Sequence, residues 1–156
     1  MIFWPIGMSL VVAWLVFHDP AFDYRLLTVG ALAPLLIDAL FGRPAVGHTL
    51  GFAVAVLFGV MLGTRRRRHA RRHGIAVPIG VLLNLVASGI WTKPHVLWWP
   101  AFGAHFPKAS LLPPAPVVVV EELAGLVAIV WFVRRFQLAD EHRRREWLRT
   151  GRVVQS

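Results

Sequence analysis

Apolar residues occur in five long runs, which are separated by short polar or proline-containing segments. Each run approaches the roughly 20 apolar residues that a helix needs to cross the hydrocarbon core of a bilayer. The pattern therefore predicts an all-α fold, a polytopic membrane bundle of about five transmembrane helices. The predicted helices span residues 2–17, 26–41, 47–63, 75–91 and 116–136.

The strongest polar interruption is the basic segment 65–72, RRRRHARR, which lies between the third and fourth runs. Short cytoplasmic loops of membrane proteins concentrate cationic residues. The segment is therefore predicted to be a tight cytoplasmic hairpin, and nucleic-acid or calmodulin-like binding is the weaker alternative. Counting the crossings from this hairpin predicts an external N-terminus, a transmembrane bundle over residues 1–136 and a basic cytoplasmic tail over residues 137–156.

Composition agrees with a membrane protein that has one basic face. Of the 156 residues, 56% are apolar and 16% are charged, and the net charge is +9. Most of the basic residues fall in segment 65–72 and between residues 134 and 152, so anionic cytoplasmic lipid would attract that face. The chain has no cysteine, which excludes disulfides and thiolate metal ligands.

Small residues recur at every fourth position of the third run, at Gly47, Gly51, Ala55, Gly59 and Gly63. This spacing lets another helix backbone approach closely. It predicts helix packing, and its four glycines are a candidate contact with a membrane-protein partner. The connection 92–116 is rich in proline and tryptophan, which is typical of a loop at the membrane interface.

The few polar side chains of the apolar runs are predicted to share one depth near the outer membrane surface. A carboxylate close to hydrocarbon costs about 2.5–3.5 kcal/mol unless it is paired or bound to metal. Aspartate, glutamate and histidine are ligands for zinc or manganese, and a bound metal makes hydroxide available near neutral pH. The candidate metal ligands are Asp38 and His48, the candidate catalytic residues are Asp38, His48 and Glu122, and the candidates for orienting water or substrate are Asn84, Ser88 and His95.

A purely structural interpretation of the same residues is also open, and spacing alone favours it. Asp38 could pair with Arg43 or cap a helix end. His48 could simply begin a helix, and Glu122 could neutralise Lys93. The sequence contains no HExxH, GxSxG or glycine-rich phosphate loop that would point to a specific chemistry.

Three stretches, GALAPLLIDALFGRPAVGHTL, PIGVLLNLVASGIW and HVLWWPAFG, resemble the family of predicted membrane-bound metal-dependent hydrolases of bacteria. The resemblance covers roughly residues 23–135 and implies a multi-pass protein of the bacterial plasma membrane. The family pattern is a Pro-Asp-x-x-Asp motif, a His-Ser or His-Thr pair, a His-Leu-x-x-Asp motif and an aromatic-Trp-Trp-Pro segment. Its aspartates and histidines are the implied metal ligands.

The chain keeps the frame of this pattern and replaces several of its ligands. Leu35 occupies the first aspartate position, Asn84 the later histidine position and Ser88 the later aspartate position. Asparagine and serine are weaker zinc ligands than histidine and carboxylate, so the resemblance implies a degraded metal site. The matching positions are Pro34, Asp38, His48, Thr49, residues 98–100 and Glu122.

Three functions are compatible with these patterns. The first is hydrolysis of a lipid headgroup or lipid-linked substrate at the outer leaflet, assisted by zinc or manganese. The second is a catalytically inactive scaffold or accessory subunit that docks a larger membrane partner through the glycines and the aromatic loop. The third is a small transporter or channel, against which the lack of an inverted repeat argues.

Overall fold

The protein is built from α-helices, as the apolar pattern predicted. The computed structural model describes residues 1–41, 46–101 and 113–153. In chain order these contain α1 (Phe3–Phe17), α2 (Tyr24–Phe41), α3 (Leu50–Gly63), α4 (Arg68–Gly74), α5 (Ala76–Ala87), a 3₁₀ helix (Ile90–Thr92), α6 (Pro94–Leu97), α7 (Ala115–Arg135) and α8 (Glu141–Thr150).

Most of the helices are shorter than a bilayer crossing requires. Within the described ranges, only α7, with 21 residues, meets both the length and the composition of a membrane span. Helices α1 and α3 have 15 and 14 residues. They rise only about 22 and 21 Å, against a hydrocarbon core of roughly 30 Å. The prediction of five spanning helices is therefore wrong by this measure.

Local capping explains why two apolar runs gave shorter helices than predicted. The third run begins its helix at Leu50 instead of residue 47, because the Thr49 hydroxyl accepts a hydrogen bond from the Phe52 amide at 3.0 Å. The fourth run stops at Ala87 instead of residue 91, since Gly89 has a φ of 63° and turns the chain into the 3₁₀ helix. Both signals act locally and override the apolar pattern.

Two segments that were predicted as connections contain helical structure. The basic hairpin 65–72 includes most of α4, so it is not a simple tight loop. The predicted interfacial loop 92–116 begins with the end of the 3₁₀ helix and α6. Residues 102–112 of the predicted loop lie outside the described residues, and its last two residues begin α7.

Helices α2 and α5 pack against each other with their backbones in contact. A methyl group added at Gly80 would lie 2.7 Å from the amide nitrogen of Ala31. A methyl group added at Gly30 would lie 2.8 Å from the carbonyl carbon of Val77. The two helices run in the same direction, because Asp23 immediately precedes α2 and has its carboxylate 3.5 Å from Nδ1 of His73, just before α5. Glycine is required here because no side chain fits between the two backbones.

Helices α1 and α7 form a second parallel pair. Glu122, in the second turn of α7, accepts hydrogen bonds from the amides of Ile2 at 2.8 Å and Phe3 at 3.2 Å. At the other end of the pair, the rings of Trp14 and Phe136 meet edge to face with centroids 4.7 Å apart. The first and last apolar helices of the chain are therefore neighbours.

Both arginine-rich segments lie at one end of the bundle, which we call the basic end and define by α4 and residues 140–153. Arg72 pairs with Asp19 at 3.6 Å, in the connection between α1 and α2. The Tyr24 amide, at the start of α2, donates to the carbonyl of Gly151 at 3.0 Å. The two arginine-rich segments, far apart in the sequence, therefore lie close together in the fold.

The larger apolar core lies near the basic end and includes part of the tail. Leu138 and Val153 are buried, so the segment predicted as a separate basic tail packs against the bundle. The other buried members of this core are Leu10, Ala13, Trp14, Tyr24, Leu27, Ala76, Phe132 and Phe136. A smaller core towards the opposite end contains Ala53, Val81, Leu85, Ile90 and Val96.

Helix α8 is capped by Asp140, and this cap gives a pH-dependent prediction. The Asp140 carboxylate accepts a hydrogen bond from the Arg143 amide at 3.0 Å, and that bond holds the pKa of Asp140 below its usual value. The cap is thus fully present above the unfolded-state pKa and is lost as the pH falls through the folded-state pKa. We expect amide protection of α8, corrected for intrinsic exchange, to drop on acidification through that range.

The matched variants for this test are Asp140→Asn and Asp140→Ala, followed by hydrogen exchange and mass spectrometry. Asparagine also caps helices but does not titrate, so Asp140→Asn should keep the protection and lose its pH dependence. Asp140→Ala should lower protection of α8 at every pH. Equal protection in the two variants at neutral pH would contradict the capping role.

Candidate functional site

Asp38 and His48 form a direct hydrogen-bonded pair at the end of the bundle opposite the basic end. Asp38 lies in the last turn of α2, and His48 lies in the turn that precedes α3. Nδ1 of His48 is 2.7 Å from Oδ2 of Asp38, and the Gly47 amide donates to Oδ1 of Asp38 at 2.6 Å. Each of the two side chains is only 11% exposed.

This geometry indicates which ring nitrogen of His48 donates the hydrogen bond. A carboxylate is an acceptor only, so neutral His48 places its proton on Nδ1 and keeps Nε2 as the acceptor. Both Asp38 oxygens already have donors, one from the ring and one from the Gly47 amide. The pair therefore leaves Nε2 as the remaining acceptor of a neutral His48 ring, and Asp38 orients that ring.

The turn that carries His48 is held against α2 by a close backbone contact. A methyl group at Gly47 would lie 2.7 Å from Cα of Pro34 and closer still to its carbonyl oxygen. Gly47 therefore packs against α2 within the chain, and its predicted contact with an outside partner stays a prediction. By contrast, a methyl group added at Gly59 or Gly63 would have no described atom within 4 Å, and one at Gly51 would make only ordinary contacts.

Asn84 and Ser88 bind backbone carbonyls. Asn84 is fully buried, and its Nδ2 donates to the carbonyl of Ala31 at 2.6 Å, three residues before Pro34. Proline lacks an amide hydrogen and disturbs the hydrogen bonding of the preceding turn, so this side chain supports α2 where the helix is weakest. The Ser88 hydroxyl donates to the carbonyl of Leu85 at 3.1 Å.

Glu122 binds the start of α1 and does not contact Asp38. Its two carboxylate oxygens accept the amides of Ile2 and Phe3, which would otherwise be unsatisfied at the start of α1. The negative charge also lies favourably at the positive end of the α1 dipole. His95 lies exposed on α6. The structure thus brings Asp38 and His48 together, and Glu122 has a capping role.

A metal centre needs more ligands than this end of the bundle assembles. Structural zinc has four ligands, and catalytic zinc sites have three from the protein. Within the described ranges, no group of three or more histidine, aspartate or glutamate side chains could hold a metal ion. Asp38 and His48 alone are therefore too few ligands for a zinc or manganese centre, and the bound metal stays a prediction. Arg43, the alternative partner of Asp38, lies outside the described residues.

A second polar cluster, which sequence reasoning missed, surrounds Asp23 at the basic end. Asp23 is 4% exposed, and its Oδ1 accepts the amides of Arg25 and Leu26, both at 3.2 Å, as the cap of α2. Its Oδ2 lies 3.4 Å from Arg25 Nη2 and 3.5 Å from His73 Nδ1. The helix cap has a sequence signal, because an aspartate precedes an apolar run. The approach of His73, fifty positions later, has none.

Comparison with known proteins adds no relative to this picture. No family model, curated protein or solved structure matches the chain. The resemblance to membrane-bound metal-dependent hydrolases stays a prediction from the motifs. The function is therefore argued from the residues themselves.

Proposed function

We propose that this chain is an integral membrane protein of the bacterial plasma membrane, with its basic end and C-terminus in the cytoplasm. Helix α7 is long and apolar enough to span a bilayer, and most of its surface is exposed. Large apolar patches on a protein surface need lipid or a partner to cover them. The exposed apolar side chains also occur on other helices, among them Leu15, Val16, Leu36, Leu40, Phe58 and Leu62.

Positive charge at one end supports this orientation. Cationic segments near membrane spans stay on the cytoplasmic side. Because α4 and the tail share one end, a single orientation satisfies both. The Asp38–His48 pair then lies towards the outer membrane surface.

For activity, we propose hydrolysis of a lipid headgroup or lipid-linked substrate at the Asp38–His48 pair. The observation that carries this proposal is the 2.7 Å hydrogen bond between two largely buried side chains. Nε2 of His48 would take a proton from water as the water oxygen attacks the ester, and would return it to the leaving oxygen. Asp38 would hold the ring and stabilise the imidazolium between these steps. No step is assigned to a metal.

The test is headgroup release from a bacterial polar lipid extract by the full chain in nanodiscs, followed by mass spectrometry. We expect Asp38→Asn and His48→Ala to lower the rate by about a hundredfold, the lower range for general acid–base catalysis. His142→Ala is the control, because it removes an exposed histidine of α8 at the basic end. Turnover that survives in both pair variants would reject the proposal.

A non-catalytic scaffold or accessory subunit is the second candidate, and the Gly47 hydrogen bond favours it. Asp38 joins the end of α2 to the turn before α3 through two bonds, so the pair also works as a structural clasp. A clasp predicts no hydrolysis by the wild type and a lower thermal midpoint in Asp38→Ala. Measuring midpoints beside rates therefore separates the two candidates.

A further inference from the structure

Three separate parts of the chain meet in an open groove at the basic end. The groove encloses about 400 Å³ and lies between the start of α2, the end of α4 and the end of α8. It is far from the Asp38–His48 pair, since α2 separates them along its length. Its lining residues are Asp23, Arg25, His73, Arg149, Thr150 and Arg152.

The groove is fixed by contacts between α2 and the tail. The Arg25 guanidinium donates through Nη1 to the carbonyl of Leu148 and through Nη2 to Asp23. Gly151 has a φ of 74° and lies against the Asp23 carboxylate, where a side chain would overlap that carboxylate. This turn brings the residues on both sides of Gly151, including Arg149 and Arg152, to the edge of the groove.

The charges of the groove are not balanced. Arg25, Arg149 and Arg152 face a single carboxylate, that of Asp23, which Arg25 and His73 already contact. Neither Arg149 nor Arg152 forms an ion pair with any side chain in the described part of the chain. In addition, Nε of Arg25 is buried and has no hydrogen-bond partner among the described residues. The guanidinium groups of Arg149 and Arg152, unpaired within the described ranges, leave the groove with net positive charge.

We propose that this groove binds a phosphate-bearing anion, the phosphate of an anionic lipid headgroup at the cytoplasmic membrane surface. Guanidinium groups match phosphate oxygens with paired, charge-assisted hydrogen bonds. Basic pockets on the cytoplasmic side of membrane proteins are suited to such headgroups. The lipid source rests on the membrane placement proposed above and is independent of hydrolysis at His48.

The test compares two double variants that each remove two exposed arginines from the basic end. Arg149→Gln with Arg152→Gln alters the groove, and Arg66→Gln with Arg68→Gln removes the same charge from the segment before and at the start of α4. The full chain in neutral detergent is titrated with phosphatidylglycerol or phosphatidylcholine, and bound lipid is measured by native mass spectrometry. Inorganic phosphate is added in a competing arm.

We expect phosphatidylglycerol to bind the wild type more tightly than phosphatidylcholine. The groove variant should bind it about tenfold more weakly, because directed hydrogen bonds are lost, and the matched variant less than about threefold. Equal weakening in both variants would show attraction by charge alone and would overturn the site. Displacement of lipid by submillimolar phosphate would support the phosphate chemistry and reject lipid as its source. Lipid binding at the groove does not involve Asp38 or His48, so its result is independent of whether the protein hydrolyses lipid.

Discussion

Replacing Gly80 by alanine should destabilise the bundle by about 3 kcal/mol, the upper range for overpacking a filled interior. The new methyl group would lie 2.7 Å from the Ala31 amide nitrogen and closer still to the Leu27 carbonyl oxygen. Both atoms belong to the backbone, so no side-chain rotation relieves the overlap. Alanine favours a helix over glycine by about 1 kcal/mol, which is too little to offset the separation of α2 from α5.

Thermal unfolding of the full chain in detergent, followed by circular dichroism, measures this effect. Gly59→Ala is the control, because Gly59 is also helical but has no described neighbour within 4 Å of the added methyl group. It should unfold at the same temperature as the wild type or slightly higher. A Gly80→Ala midpoint as high as that of Gly59→Ala would show that the two helices do not touch as described. Gly80→Leu should fail to give folded protein.

Phe132→Ala is expected to lower the free energy of unfolding by about 3–5 kcal/mol, as truncation of a buried phenylalanine does. The side chain is 1% exposed. Its ring centroid is 4.6 Å from that of Phe136 and 5.4 Å from that of Tyr24. Removing it leaves a cavity where α7 meets α2, and packed rings on both sides limit collapse into that space.

Val127→Ala is the matched control on the same helix, since Val127 is 68% exposed. It should change the thermal midpoint little, because a truncation at the surface leaves no cavity. Chemical or thermal unfolding of both variants in the same detergent gives the comparison. If the two substitutions cost the same, α7 is not oriented with Phe132 towards α2.

The apolar pattern predicted the five long helices because helix packing requires apolar side chains at helical spacing. It predicted five crossings because the length of an apolar run does not show where a helix cap or a helix-ending glycine shortens the helix. The Thr49 cap shortens α3, and the positive φ of Gly89 shortens α5. Each signal comes from one or two residues and does not change the hydropathy of the run. The five helices of the apolar runs were thus readable from the sequence, whereas their lengths and the short helices α4 and α6 were not.

In the candidate site, too, contacts between residues close in sequence were easier to predict than contacts between distant residues. Asp38 and His48 are ten residues apart across one turn, and both were grouped as candidate metal ligands from the sequence. The partners of Asn84 and Glu122 lie 53 and 120 positions away. Pairing between distant helices is set by which backbones can approach, and neither hydropathy nor charge specifies it. The sequence therefore showed polar residues at one end and could not assign their partners.

The pairing of α1 with α7 has a consequence for how the chain is made. Glu122, which caps α1, is added to the chain 120 positions after Ile2, whose amide it binds. Until then the first helix has exposed amides and an uncovered glycine, Gly7, that later faces Gly125. During translation α1 therefore lacks its helix partner until α7 has been made. A nascent chain released before residue 115 would leave the first helix without the neighbour that completes it.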